Sequence, residues 1–397
     1  MRSVTGSLPF GHKGLNGRTE DALTRVELGG KRGILPSQAI HDLIRRDVVK
    51  AANGNEWTSQ VQPASLDLRL GHRAYRVRAS FLPGKNRTVE QQLENLTHHE
   101  ISLKDGAILE RGCFYVVELQ EILELPENLA AVANPKSSTG RLDVFTRLIA
   151  DGSEVFDYVE AGYRGKLYAE ISPQTFSVKA RQGSRLNQMR FMRRAGQQDR
   201  YHRPTLSDKE LRKLHKEVSL TDIEPTIRNG LNVRVDLRGA RKRAIIGYRA
   251  KKHAGVVDID VTGRCRRADF WDPIHATAEG QLILDPDEFY ILASKEAVHV
   301  PPTHAAEMAP IDPMMGEFRA HYAGFFDPGF GHMEKGPHGS RAVLEVRSHA
   351  VPFVLEDGQM IARLVYEHLA GRPERLYGRG IASHYQGQGL KLSKHFK

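Results

Sequence analysis

"GKLYAEIS" (Gly165–Ser172) and "SRAVLEVR" (Ser340–Arg347) share one pattern, an apolar run with a single glutamate near its centre, Glu170 in one and Glu345 in the other. β-Branched and aromatic residues between turn-forming neighbours make each a strand. Their separation decides the fold, since 345 − 170 = 175. "RQGSRLNQMRF", ending at Phe191, is echoed by "LEDGQMIARLVY", ending at Tyr366, and 366 − 191 is again 175. Upstream, "PASLDLRLG" (Pro63–Gly71) is echoed by "LNVRVDLRG" (Leu231–Gly239), and "DGAILERGCFYVVE" from Asp105 by "EGQLILDPDEFYILA" from Glu279. Four segments repeated in the same order, two of them at one spacing, indicate duplication of a whole domain rather than a solenoid.

Within each unit the elements are short. Leu66, Leu68 and Leu70 alternate with Asp67 and Arg69, the period of a half-buried strand. Helix signals are few. "PSQAIHDLIRRDVVK" sets Ile40, Leu43, Ile44 and Val48 on one face with Ser37 as N-cap, and Ser207 with Glu210 forms a capping-box pattern. The expected architecture is mainly β: a polar extension over 1–33, a first domain over 34–192, a charged helical linker over 193–230, and a second domain over 231–397.

The 397 residues include 36 glycines and 19 prolines, which suits a chain of many turns. No apolar run approaches the ~18 residues that span a bilayer, and the N-terminal residues lack the apolar stretch of a secretion signal. Two cysteines, Cys113 and Cys265, allow neither a disulfide framework nor a multi-cysteine zinc site. A cytoplasmic setting is expected. The net charge of +10 favours an anionic partner. The bases are scattered apart from a cluster between Arg234 and Lys252, and no nucleic-acid-binding motif accompanies them, so a phosphorylated small molecule is the favoured partner over nucleic acid.

"NPKSSTGRLDVF" (Asn134–Phe145) offers a place for such an anion. Ser137 and Ser138 supply hydroxyl and backbone donors, and Arg141 a planar fork suited to phosphate oxygens. The alternative is a solvated turn. Glu170 and Glu345, each inside an apolar strand, are costly to bury unless paired or used.

"QPASLDLRLG" (Gln62–Gly71), "PKSSTGRLDV" (Pro135–Val144) and "GYRGKLYAEIS" (Gly162–Ser172) resemble motifs of the dCTP deaminases of the dUTPase superfamily. "HYAGFFDPGF" (His321–Phe330), "RAVLEV" around Glu345, and the tail "HYQGQG" (His384–Gly389) resemble that family's remaining motifs. The resemblance spans about Ile34 to Lys394. It implies two tandem dUTPase-like β-clip domains, distorted β-barrels, that assemble as a trimer or related homo-oligomer. It also implies hydrolysis of dCTP to dUTP and ammonia, with Mg2+ carried on the triphosphate and no zinc. The sequence agrees on zinc. H-x-E occurs at His215–Glu217 and His332–Glu334, but the Pro-Cys pair that completes a zinc deaminase site is missing.

By the same resemblance, Glu345 or Glu170 is the general acid/base, and Asp327 sits beside the sugar and base, with Glu160 at its position in the first half. Lys136, Ser137, Ser138 and Arg141 hold the phosphates. Tyr385, Gln386 and Gln388 belong to a tail that closes over the nucleotide. Lys136 stands where the family has arginine, and His384 where it has lysine. The halves are unequal, since the second reads "APIDPMMGEF" from Ala309 where the first has its serines and arginine. Two arrangements follow. The first half's phosphate motif faces Asp327 and Glu345 in a composite site, or first halves form a ring around Glu170 and Glu160. The rival functions are a dUTP pyrophosphatase, a bifunctional enzyme of both steps, or a non-catalytic nucleotide sensor or nucleic-acid-binding protein.

Overall fold

The computed structural model describes residues 31–51, 57–194, 203–241, 243–310, 318–321, 324–333, 338–348, 350–379 and 383–397. The N-terminal extension, apart from its last residues, part of the linker, and most of "APIDPMMGEF" lie outside the described residues. The described part is mainly β, with three helices of eight residues or more among its elements: Ser37–Arg45, Val89–Leu96 and Asp208–Glu217.

Each half contains the same two sheets. In the first, strands run in the order Thr97–Ser102, Leu70–Val77, Phe114–Glu124, Arg164–Pro173, Val144–Ala150. In the second, the order Trp271–His275, Ile245–Ala250, Phe289–Val298, Ser340–Ser348, Phe318–His321 repeats it. The smaller sheets match as well: Leu129–Pro135 pairs with Asn187–Arg193, and His304–Pro310 with Met360–His368.

The duplication holds at the level of single bonds. Glu110 N donates to the Tyr115 hydroxyl at 3.0 Å, and Asp285 N to the Tyr290 hydroxyl at 3.0 Å, each pair 175 residues apart. Arg69 N and Nε both donate to Glu121 at 2.9 Å, and Arg234 N and Nε to Glu296 at 2.8 and 2.6 Å. Arg69 therefore corresponds to Arg234, which sets Leu66–Leu70 against Leu231–Val235 and puts Asn232 in the place of Asp67.

The halves pack face to face. Val178–Ala180 of the first pairs with Val257–Asp258 of the second in a shared ribbon. Phe176 meets Phe270 and Trp271 at 5.4 Å between ring centroids. Along Ser340–Ser348, Leu344 and Val346 enter the second half's own core, while Val343 joins the core of the first. Period-2 alternation then turns Glu345, which shares the Val343 face, toward the first half.

The helices depart from expectation in three ways. Ser37 is the first residue of its helix and Pro36 occupies the N-cap, with no side-chain cap bond, because proline's fixed φ suits the entry. That helix ends at Arg45, so Val48 is buried from the segment beyond it. Val89–Leu96 was not anticipated, although Thr88 and Gln91 form a reciprocal capping box. The box expected at Ser207 and Glu210 is present.

Candidate active site

The phosphate-type motif follows the Leu129–Pro135 strand as one helical turn, Ser137–Gly140. Thr139 N and Gly140 N both return to the Lys136 carbonyl, at 2.8 and 3.0 Å. The Ser137 and Ser138 amides thus precede the first turn-closing bond, at the open end of the turn. The Thr139 hydroxyl donates to Leu186 O at 3.0 Å and ties the turn to the neighbouring strand.

This turn forms one wall of a cavity between the halves. Lys136, Ser137, Ser138 and Arg141 line it from the first half; Asp327, Glu345, Tyr385 and Gln388 line it from the second. Glu170 and Glu160 do not line it. Glu170 faces the other side of its sheet, where Arg147 Nη2 donates to it at 2.7 Å. Glu160 lies 3.8 Å from Arg194 and is half exposed.

Arg141 is buried at the centre of the wall. Its Nη1 donates to Gln388 Oε1 at 3.0 Å and to Lys391 O at 2.9 Å, and its guanidinium lies 3.9 Å above the Tyr385 ring. Its Nε is 3.9 Å from Glu345 Oε1 and has no hydrogen-bond acceptor. A buried guanidinium donor left open toward a cavity is a place for an anionic oxygen.

Glu345 is 5% exposed. Burial pushes its carboxyl up to about 8, and Arg141 pulls only partly in the other direction. The two repeated glutamates therefore differ in setting. Strand register sets Glu170 opposite Arg147, which neutralises it, and sets Glu345 opposite His321, with its cation supplied from across the cavity.

Asp327 is held by Arg190 of the first half, whose Nη2 donates to Oδ1 at 3.1 Å and to Phe326 O at 3.0 Å. Burial raises the Asp327 carboxyl, and the charge of Arg190 opposes that rise. After Asp327 the chain turns through Gly329 and Gly331, both at positive φ. A Cβ on Gly331 would meet Val298 O at 2.3 Å, so the turn packs against the strand end only as glycine.

The tail residues divide. Tyr385 and Gln388 face the cavity, whereas Gln386 anchors the tail to the Asp327 turn. Its Nε2 donates to His332 O at 2.8 Å and Gly329 O at 3.2 Å, and its Oε1 accepts from Gly331 N at 3.1 Å.

Five further residues matter that the sequence reading did not single out for the site. Asp67 forms an ion pair with Lys136, and Gln188, Tyr377 and Lys394 line the cavity. Arg190 carries the Asp327 turn. A signal existed for Asp67: the residue between Leu66 and Leu68 is polar, yet it belongs to a segment repeated in both halves. Lys394 adds a cation and His384 an imidazole, and burial with neighbouring lysines pulls both pKa values downward.

Comparisons with known proteins place these features in a family. Residues 31–196 match the N-terminal domain of 2'-deoxycytidine 5'-triphosphate deaminase, and residues 207–396 match its C-terminal domain. A crystal structure of 2'-deoxycytidine 5'-triphosphate deaminase from Agrobacterium tumefaciens is 53% identical, with a TM-score of 0.80 over 85% of this chain and 99% of that one. The dCTP deaminase of Halorubrum lacusprofundi is 31% identical over 134 residues, 33% of this chain and 63% of that protein. A protein of Halobacterium salinarum named "dCTP deaminase, dUMP-forming" is 32% identical over 114 residues, 28% of this chain and 55% of its own length. The chain thus spans somewhat under two thirds of these two curated relatives.

Proposed function

The chain belongs to the dCTP deaminase family, and from that premise we propose that it hydrolyses dCTP, presented with Mg2+, to dUTP and ammonia. The observation that carries this reading is Glu345: a buried carboxylate with a raised pKa, beside a cationic wall of Lys136 and Arg141, in one cavity. A base of that strength suits proton transfer near neutral pH. The site is then composite, with the phosphate grip from domain 34–192 and the chemistry from domain 231–397, each read as a β-clip unit.

In this mechanism Ser137, Ser138 and Arg141 hold the triphosphate, and Asp327 positions the sugar and base. Ionised Glu345 takes a proton from water as the water oxygen bonds to C4 of cytosine. The π electrons of the C4=N3 bond move to N3, which receives a proton through Glu345. A second proton passes from the new C4 hydroxyl to the exocyclic nitrogen. The C4–N bond breaks, ammonia leaves, and C4 becomes the carbonyl of uracil. Glu170, neutralised by Arg147, serves structure, and Gln386 serves by holding the tail. A homo-oligomer acting in the cytoplasm completes the reading.

A second reading, in which the same site also cleaves the triphosphate, draws support from the relative named as dUMP-forming. The test is ammonia release from Mg–dCTP with identification of the nucleotide product. dUTP supports deamination alone, and dUMP with pyrophosphate supports both steps. Tight dCTP binding without ammonia would overturn both and leave a sensor.

A further inference from the structure

Outside the active-site cavity, three histidines meet beneath the Asp327 turn: His299 at the end of the Phe289–Val298 strand, and His332 and His338 on the segment after the turn. Their ligating atoms all lie within 4.8 Å of one another. We propose that His299, His332 and His338 form a binding site for one divalent transition-metal ion of the zinc class, distinct from the Mg2+ that accompanies the nucleotide.

The geometry is best defined at His299. Its Nδ1 lies 3.0 Å from the Ser219 carbonyl, which can only accept, so Nδ1 carries the proton and Nε2 presents its lone pair to the cluster. A backbone carbonyl orienting an imidazole from behind is the usual outer partner of a metal-bound histidine. His299 Nε2 is 3.1 Å from His332 Nδ1, close to the edge of about 3.3 Å in a tetrahedron built from ~2.0–2.1 Å zinc–nitrogen bonds.

His338 needs the largest adjustment. Its Nδ1 accepts the Met333 amide at 3.0 Å, and its ring lies within 28° of parallel to the other two. Ligation requires this ring to rotate and release that amide, and His338 and His332 are only half-buried. Three imidazoles with a fourth position left to water suit zinc, nickel or copper rather than magnesium.

An ion here would act on the active site through the backbone. Gly329 O, Gly331 N and His332 O are the groups that hold Gln386, so fixing His332 fixes the anchor of the tail.

The test uses tag-free full-length protein stripped with a chelator, without nucleotide. Zinc content is measured after equilibrium dialysis, and the visible absorption of added Co2+ reports imidazole ligation. The wild type should hold about one zinc per chain, and His338→Gln should bind at least about 10–100-fold more weakly, the loss that removing even an outer partner of a ligand brings, with its metal-free melting temperature unchanged. His332→Gln provides a second variant should His338→Gln fold poorly. Zinc bound equally by the wild type and both variants, or no zinc bound at micromolar concentration, would overturn the site and leave three stacked imidazoles. Metal content is read separately from ammonia release, so failure of the deaminase reading does not decide this one.

Discussion

Arg141 of the first half and Glu345 of the second meet across the cavity with Nε 3.9 Å from Oε1, while the repeat-equivalent Glu170 is bonded to Arg147 within its own sheet. One ancestral strand position has thus acquired two electrostatic settings. Glu170 is paired with a guanidinium inside its own sheet, whereas Glu345 is held mainly by burial, which raises its carboxyl.

Glu345→Gln should therefore abolish ammonia release, by about 10²–10⁴-fold or more, the share that a positioned acid/base contributes. Glu170→Gln should retain turnover and lower stability by about 1.5–3 kcal/mol, the range for a bond to a charged group. Steady-state ammonia release and thermal unfolding of both variants check this. A dead Glu170→Gln beside an active Glu345→Gln would transfer the chemistry to the first half.

The raised pKa of Glu345 makes a signed prediction about pH. Folded Glu345 keeps its proton up to about 8, whereas the unfolded residue loses it near 4.5. Between those values the folded state binds more protons, so this residue's contribution to stability falls as pH rises. The melting temperature of Glu345→Gln relative to wild type should thus climb from pH 5 to pH 8. Activity should run the other way, with wild-type kcat/KM rising toward pH 8 as the base ionises. A flat stability difference across that window would refute the assignment.

Arg141→Ala removes the buried guanidinium that Gln388, Lys391 and Tyr385 surround. KM for dCTP should rise about 10–100-fold, the loss of one to two charge-assisted bonds, and the preference for dCTP over dCMP should shrink. Arg141 also opposes the burial of Glu345, so the rising limb of kcat/KM should move to higher pH. Initial-rate kinetics across pH measure both effects.

The duplication and the mainly β character were legible because period-2 patterning and the 175-residue spacing are local properties of the chain. Local pattern is silent where neighbours outside the local sequence decide. Ser37 looked like a cap, but Pro36 precedes it and presets the backbone. Glu170 and Glu345 looked interchangeable, because nothing in "LYAEIS" or "VLEV" says which cation sits across the sheet or across the interface. Gln386 and Gln388 sit two apart in one glycine-rich tail, yet the turn through Gly387, at positive φ, sends one to the Asp327 turn and the other to Arg141. Arg190 was hidden because its partners Asp327 and Glu367 lie more than 130 residues away.

Arg190 gives the last prediction. It is fully buried, and one guanidinium serves Asp327 at 3.1 Å, Glu367 at 3.0 Å, and the carbonyls of Ala306 and Phe326 at 2.9 and 3.0 Å. Arg203 lies against Glu367 at 2.7 Å and also pairs with Glu307, so Glu367 keeps a paired cation when Arg190 is lost, whereas Asp327 keeps only the unbonded charge of Lys136. Arg190→Met should cost about 3–5 kcal/mol, the penalty for breaking a buried ion pair from one side. Arg190→Lys keeps the charge but cannot span four acceptors. It should fold with a smaller loss while still raising KM, because the Asp327 turn loses its fixed position. Denaturant unfolding and dCTP kinetics on both variants separate the two effects. An unfolding midpoint unchanged in Arg190→Met would show that the halves do not depend on this arginine to hold the site together.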